Sequence, residues 1–186
     1  MIDERLGRFG EIDNEKYRGY VQDIHASGAH LLSLINDLLD LSKVEAGKLE
    51  LNFTAVSPED VTDYVLKMLQ EQATAARVVL RKSMPADLPN VVADLRSMRQ
   101  ALMNLVSNAI KFTQTGEIKV ISSLSLEPPA GLAAVPGRMW LCVDVQDTGI
   151  GIPADMVERV FDAFTQAESS TTRRFGGTGL GLTISR

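Results

Sequence analysis

The spacing of apolar residues changes period along the chain. Between residue 17 and about residue 46, Val21, Ile24, Leu31, Ile35 and Leu38 recur at intervals of three and four. Gly28 and Ser42 share their register, and Tyr20, Leu34 and Leu41 widen the stripe. This period predicts one long amphipathic helix, capped by Asp13 or Asn14 and closed before Gly47. The stripe is too broad for a helix lying alone on a surface and fits a helical bundle. The simplest partner is a second copy of the chain. Gly28 costs such a helix roughly 1 kcal/mol relative to alanine; it either admits a close neighbour or is a tolerated defect.

From Lys48 the period becomes two. Leu49, Leu51, Phe53 and Ala55 alternate with Glu50, Asn52 and Thr54, which predicts a strand. Ser57-Pro58-Glu59-Asp60 opens a helix to about residue 76, with Pro58 at its first position and Val61, Val65, Met68, Leu69 and Ala73 inward. Strands are expected at 78–82 and 90–93. Asp94 then caps a second helix to about residue 112, whose buried side carries Leu95, Met98, Leu102, Leu105, Val106, Ala109 and Ile110. Residues 116–126 and 138–147 read as antiparallel strands joined by a proline-containing loop, and Pro153 is expected to begin a short helix to about residue 164. Antiparallel pairs with helices on one face predict an α+β fold: a two-layer α/β sandwich preceded by the long bundle-forming helix.

Composition narrows the classes of function. A chain of 186 residues suits one compact domain with a small appendage. Its net charge of -5 argues against a nucleic-acid binder. The single cysteine, Cys142, excludes an internal disulfide or zinc cluster and reads as a small core residue. No apolar run reaches the length of a membrane span, and the N-terminus lacks a signal-peptide core, so the expected location is the cytoplasm.

Candidate chemistry lies in three places. The strand-like run Met139, Leu141, Val143, Val145 leads to Asp147-Thr148-Gly149-Ile150-Gly151-Ile152-Pro153. It delivers one carboxylate beside a turn with almost no side chains. Gly149 and Gly151 can take positive φ and admit a flat ligand. A carboxylate only accepts hydrogen bonds, which suits an exocyclic amino group such as that of adenine. Asn104 and Asn108 stand one turn apart on the second helix, with Lys111 near the same face. An amide oxygen can ligate Mg2+, and the lysine can meet phosphate charge. Gly177, Gly179 and Gly181 of Gly176-Gly177-Thr178-Gly179-Leu180-Gly181 either open a further helix, where bare N–H groups make an anion site, or form a flexible hinge. No Walker-type P-loop is present. His25 and His30, the only histidines, read as surface or bundle-edge residues.

The order and spacing of Asn104-Leu-Val-Ser-Asn108-Ala-Ile-Lys111-Phe-Thr113, Asp147-Thr-Gly-Ile-Gly151, Phe161-Asp-Ala-Phe164 and Gly177-Thr-Gly-Leu-Gly-Leu182 resemble the N, G1, F and G2 boxes of sensor histidine kinases. These share the Bergerat ATP-binding fold with gyrase. Leu38-Leu-Asp-Leu-Ser-Lys-Val-Glu45 is similar to the second helix of that family's dimerisation and phosphoacceptor domain. The resemblance implies that Asp147 binds the adenine amino group beside Gly149 and Gly151, and that Asn108 ligates Mg2+. Asn104 and Lys111 would stand at the phosphates, Phe161 and Phe164 would anchor a lid, and Gly177, Thr178, Gly179, Leu180 and Gly181 would line the nucleotide. Arg173 or Arg174 either reaches the γ-phosphate or is a solvated lid charge.

In ATP-hydrolysing members a glutamate general base precedes the Mg-binding asparagine by four residues. Asn104 in that place favours phosphoryl transfer to a histidine over hydrolysis. The implied cofactors are ATP and Mg2+. The implied partners are a second copy through the N-terminal helix and a response-regulator receiver domain. A rival expectation is a non-catalytic, dimerising interaction module. The family's phosphoacceptor box has no match, so residues 1–46 are expected to be a partial dimerisation region without the phosphoacceptor helix. Residues 47–186 are expected to be the ATP-binding catalytic domain, shortened at its C-terminus, with apolar surface left open.

Overall fold

The computed structural model describes residues 15–48, 50–128, 132, 133, 135–157, 159–162 and 181–184. The chain divides into two compact units, Met1–Leu49 and Glu50–Arg186.

The described residues of the first unit form the helix α1 (Glu15–Glu45). Its apolar stripe is largely uncovered among the described residues: Ile24, Leu31 and Leu38 are 64%, 58% and 51% exposed. Ser42 keeps its place in the stripe by donating its hydroxyl to the Leu38 carbonyl, at 2.8 Å. A Cβ on Gly28 would meet nothing within 4 Å. The expected caps, Asp13 and Asn14, lie outside the described residues.

The second unit runs β1 (Phe53–Val56), α2 (Pro58–Ala75), β2 (Val78–Ser83), β3 (Val91–Asp94), α3 (Leu95–Phe112), β4 (Gly116–Ser125) and β5 (Trp140–Asp147). A 3-10 turn at Arg159–Phe161 and a short helix, α4 (Gly181–Ile184), complete the described elements. Both long helices begin where their caps predict. The Ser57 hydroxyl accepts from the Asp60 amide at 3.2 Å, with Pro58 in the first helical position. Asp94 serves two elements: one carboxylate oxygen accepts from the Ser97 amide at 2.7 Å, the other from the Asn52 amide at 2.9 Å. Those bonds, Ser97 first, hold its carboxyl below the usual carboxylate range.

β1 and β3 form an antiparallel pair, while β2, β4 and β5 form a three-stranded sheet in the order β2-β4-β5. β4 and β5 are antiparallel as expected, but β2 runs parallel to β4, the chain crossing through β3 and α3 between them. Helices α2 and α3 pack together over the strands. Val61, Val65, Leu69 and Ala73 of α2 and Leu102, Val106, Ala109 and Ile110 of α3 close on Val78, Ile118 and Val120. This is the two-layer α+β sandwich.

Two boundaries differ from expectation. β1 begins at Phe53 instead of about residue 49, because its partner β3 has four residues and the ladder ends at Phe53–Asp94. After Pro153 the described chain forms turns followed by the 3-10 segment in place of one continuous helix. The amides of Met156, Arg159 and Asp162 each bond three residues back, to Pro153, Met156 and Arg159. That is 3-10 winding, with an α-type bond from the Val160 amide to Met156 among them.

Candidate functional site

Segments distant in sequence meet around α3. Along β5, Leu141, Val143, Val145 and Asp147 share one face by alternation, and Asp147 lies opposite Ile118 of β4. The carboxylate thus sits at the exposed strand end, on the side covered by α3. The Gly149 amide donates to its Oδ1 at 2.8 Å, fixing the side chain over the turn. The Ile150 amide donates to the Phe112 carbonyl at 3.3 Å and fastens that turn to the end of α3.

The two glycines of the turn are needed for different reasons. Gly151 has φ +72, in the left-handed region. Gly149 does not; what excludes a side chain there is proximity. A Cβ would stand 2.6 Å from the Phe112 carbonyl oxygen, 2.8 Å from Asp147 Oδ1 and 2.9 Å from Thr113 Oγ1. Thr148 anchors the other side of the turn, its hydroxyl accepting from the Glu117 amide at 3.1 Å. A Cβ on Gly116 (φ +137) would overlap that hydroxyl.

On α3, Asn104, Asn108 and Lys111 are all half-buried. Asn104 is held at both ends: Oδ1 accepts from Gln100 Nε2 at 3.1 Å, and Nδ2 donates to the Gly181 carbonyl at 2.9 Å. It therefore connects α3 to the start of α4. The Lys111 ammonium lies 5.0 Å from the Phe112 ring centre. Burial pushes its pKa below the ordinary 10.5.

The structure thus brings Asp147 and Gly149 to the end of α3, and Gly181 to Asn104. Phe161 lies in the 3-10 turn, which packs against α4, and stays 39% exposed. Phe164, Arg173, Arg174, Gly177, Thr178, Gly179 and Leu180 lie outside the described residues. His25 is exposed on α1, in the other unit. Thr113 and Thr148 lie within the sequence motifs but have no role of their own there, and Gln100, which supports Asn104, lies outside them. Gln100 carried a usable signal, since glutamine and asparagine four residues apart on a helix are neighbours that can hydrogen-bond.

The chemistry of these groups is compatible with a nucleotide. An acceptor-only carboxylate over a glycine turn fits an amino-bearing ring, and a partly desolvated ammonium fits an anion. Among the described residues no group of three or more His, Cys, Asp and Glu could hold a metal. Mg2+ needs none when phosphate oxygens and water supply the other ligands, and the amide oxygen of Asn108 fits that donor set.

Residues 93–186 match the family model described as histidine kinase-, DNA gyrase B- and HSP90-like ATPase. The chain is 42% identical over 194 residues to the cell-division control histidine kinase PdhS of Brucella ovis, a match covering 100% of this chain and 18% of that protein. It is 42% identical over 179 residues to the non-motile and phage-resistance protein of Caulobacter vibrioides, covering 96% of this chain and 20% of the relative. The chain therefore spans about a fifth of the length of these curated relatives. Its fold is similar to that of full-length ShkA, crystallised with AMPPNP: TM-score 0.73 and 32% identity, over 92% of this chain and 33% of ShkA.

Proposed function

The chain belongs to the family of histidine kinase-, DNA gyrase B- and HSP90-like ATPases, and on that premise we propose that it is the ATP-binding catalytic part of a two-component sensor histidine kinase. The observation that carries this is the seating of the Asp147 turn on the end of α3, with Asn104, Asn108 and Lys111 on that same helix. Asp147 Oδ2 accepts from the adenine amino group while Oδ1 stays bonded to the Gly149 amide. Lys111 faces phosphate charge, and Asn108 offers its amide oxygen to Mg2+. Gly177, Thr178, Gly179, Leu180 and Gly181 line the phosphates, and Phe161 and Phe164 anchor the segment that closes over them. Mg2+ held by Asn108 would offset the phosphate charge.

The acceptor is a protein histidine, and neither His25 nor His30 is assigned that role. Asn104 supports transfer over hydrolysis: an amide is no base, and both of its ends are already engaged. In the whole protein the phosphoryl group passes onward to a response-regulator receiver domain in the cytoplasm. The open stripe of α1 supports a homodimer formed through this helix.

Calorimetric titration with Mg-ATP of this chain and of Asp147→Asn tests the reading. Asparagine sets an amide N–H₂ toward the adenine amino group or loses the charge that attracts it. Affinity should fall about 30- to 100-fold, the equivalent of one charged hydrogen bond. Equal binding by both chains would exclude Asp147 as the adenine residue. Absence of binding by the folded parent chain would favour a non-catalytic interaction module.

A further inference from the structure

We propose that Gln100, exposed and outside the nucleotide site, is a positioning residue: it orients the Asn104 amide so that Asn104 closes the start of α4 onto α3. Gly181 O can only accept, so Asn104 bonds to it solely when Nδ2, the donor end of its amide, faces α4. Rotated by half a turn, the same amide would present Oδ1 to Gly181 O, two acceptors in mutual repulsion. The orientation therefore depends on what faces the other end of the Asn104 amide. There Gln100 stands one helical turn earlier, and its Nε2 donates to Oδ1 at 3.1 Å.

The contact with α4 is close enough for this orientation to matter. A Cβ added to Gly181 would lie 3.4 Å from Asn104 Cγ and 3.6 Å from Nδ2, so the flat amide lies directly against the glycine backbone. Gly181 is the last glycine of the cluster assigned to the phosphates. The consequence for nucleotide binding rests on that assignment; the relay from Gln100 through Asn104 to Gly181 does not.

Hydrogen-bond character at position 100 separates this role from packing. Gln, Lys, Ala and Glu are all good helix formers, so propensity changes little among them. Lysine only donates and preserves the orientation; alanine releases it. Glutamate only accepts, attracts Nδ2 and turns Oδ1 toward Gly181. Backbone hydrogen exchange at residues 181–184 of the nucleotide-free chain should be slowest for the parent and Gln100→Lys. It should be about 3-fold faster in Gln100→Ala and about 10-fold faster in Gln100→Glu. Mg-ATP affinity should fall in the same order.

The same series in an Asn104→Ala background is the deciding measurement. If the relay is real, the differences collapse once Asn104 is gone. An order that survives unchanged would mean that charge at position 100 acts through space, and would overturn the proposal. So would equal exchange across the series with Asn104 present. A parent chain that keeps the exchange order yet binds no Mg-ATP would retain the positioning role and refute the nucleotide assignment instead.

Discussion

Helices α1 and α3 carry the same message in their sequences and meet different fates. Each repeats apolar residues at three and four. In α3 the stripe is closed at its centre, where Val106 is 0% and Leu102 6% exposed against α2 and the sheet, although Leu95 in the first turn stays 38% exposed. In α1 the described part of the stripe is largely open, with Ile24, Leu31 and Leu38 more than half exposed. Periodicity states that a helix needs a cover; it does not state which polypeptide supplies it. The difference extends to the polar faces. In α3, Asn104, Asn108 and Lys111 border a packed stripe, so their backbone positions are fixed to the turn after β5. Polar residues of α1 have no such frame in the described structure.

The strongest way to break the comparison is to cut back one leucine from each stripe. Leu102→Ala should destabilise the second unit by about 2–5 kcal/mol, since it removes buried methyl groups and leaves a cavity. Leu31→Ser should leave that unit's unfolding within about 0.5 kcal/mol of the parent, because an exposed side chain has little packing to lose. Chemical denaturation read at Trp140 reports on the second unit alone. Sedimentation should show Leu31→Ser shifting the chain toward monomer if α1 is covered by a second copy. Equal losses of stability from both substitutions would mean that α1 and α3 are not the contrast described.

A smaller effect sharpens the polar side of the comparison. The folded pKa of Lys111 lies below its unfolded 10.5, because burial opposes the charge. The folded chain therefore holds fewer protons than the unfolded one between the two values, and this residue makes stability rise with pH across that window. Phosphate charge would restore the ammonium, so nucleotide binding takes up a proton there. Mg-ATP affinity should fall with rising pH through the same window, by at most about tenfold per pH unit. Titrations at rising alkaline pH up to the unfolded 10.5, repeated with Lys111→Met, check this; the slope should vanish in the variant. An unchanged slope would assign it to another group.

These contrasts also explain which features are legible in the sequence. Ser57, Pro58 and Asp94 announce their helices because capping is local chemistry between residues three apart. Strand ends are less legible: the alternation from Leu49 continues past the point where β3 has residues left to pair. The parallel register of β2 with β4 has no local signal at all, since it is made by the crossover through α3. In the site, Asp147 and the two asparagines stand out by residue type and spacing. Gly149 was legible as a required glycine, but for the wrong reason, because its constraint is the Phe112 carbonyl at the end of a distant helix. Gln100 is legible only as a neighbour of Asn104, and Thr113 only as a member of the run that follows Lys111; the contact of the one with Gly181 through Asn104 and the burial of the other are set by neighbours that only the fold supplies.

Thr113 offers the smallest effect and the mirror image of α1. Where α1 exposes apolar groups, the residue after α3 buries a polar one: Thr113 is 2% exposed, and its hydroxyl has no hydrogen-bond partner among the described residues. Burying an unmatched hydroxyl is unfavourable, whereas an apolar group of the same shape in its place is neutral or stabilising. Valine keeps the β-branch and the methyl that faces Gly116, which a Cβ there would meet at 3.8 Å. Thr113→Val should therefore raise the stability of the nucleotide-free chain by up to about 1 kcal/mol, seen as a higher thermal midpoint. Thr113→Ser keeps the hydroxyl, removes the methyl and should lower the midpoint. If valine lowers it as well, the hydroxyl has a partner in solution, and the polar burial at the end of α3 stabilises the fold instead of opposing it.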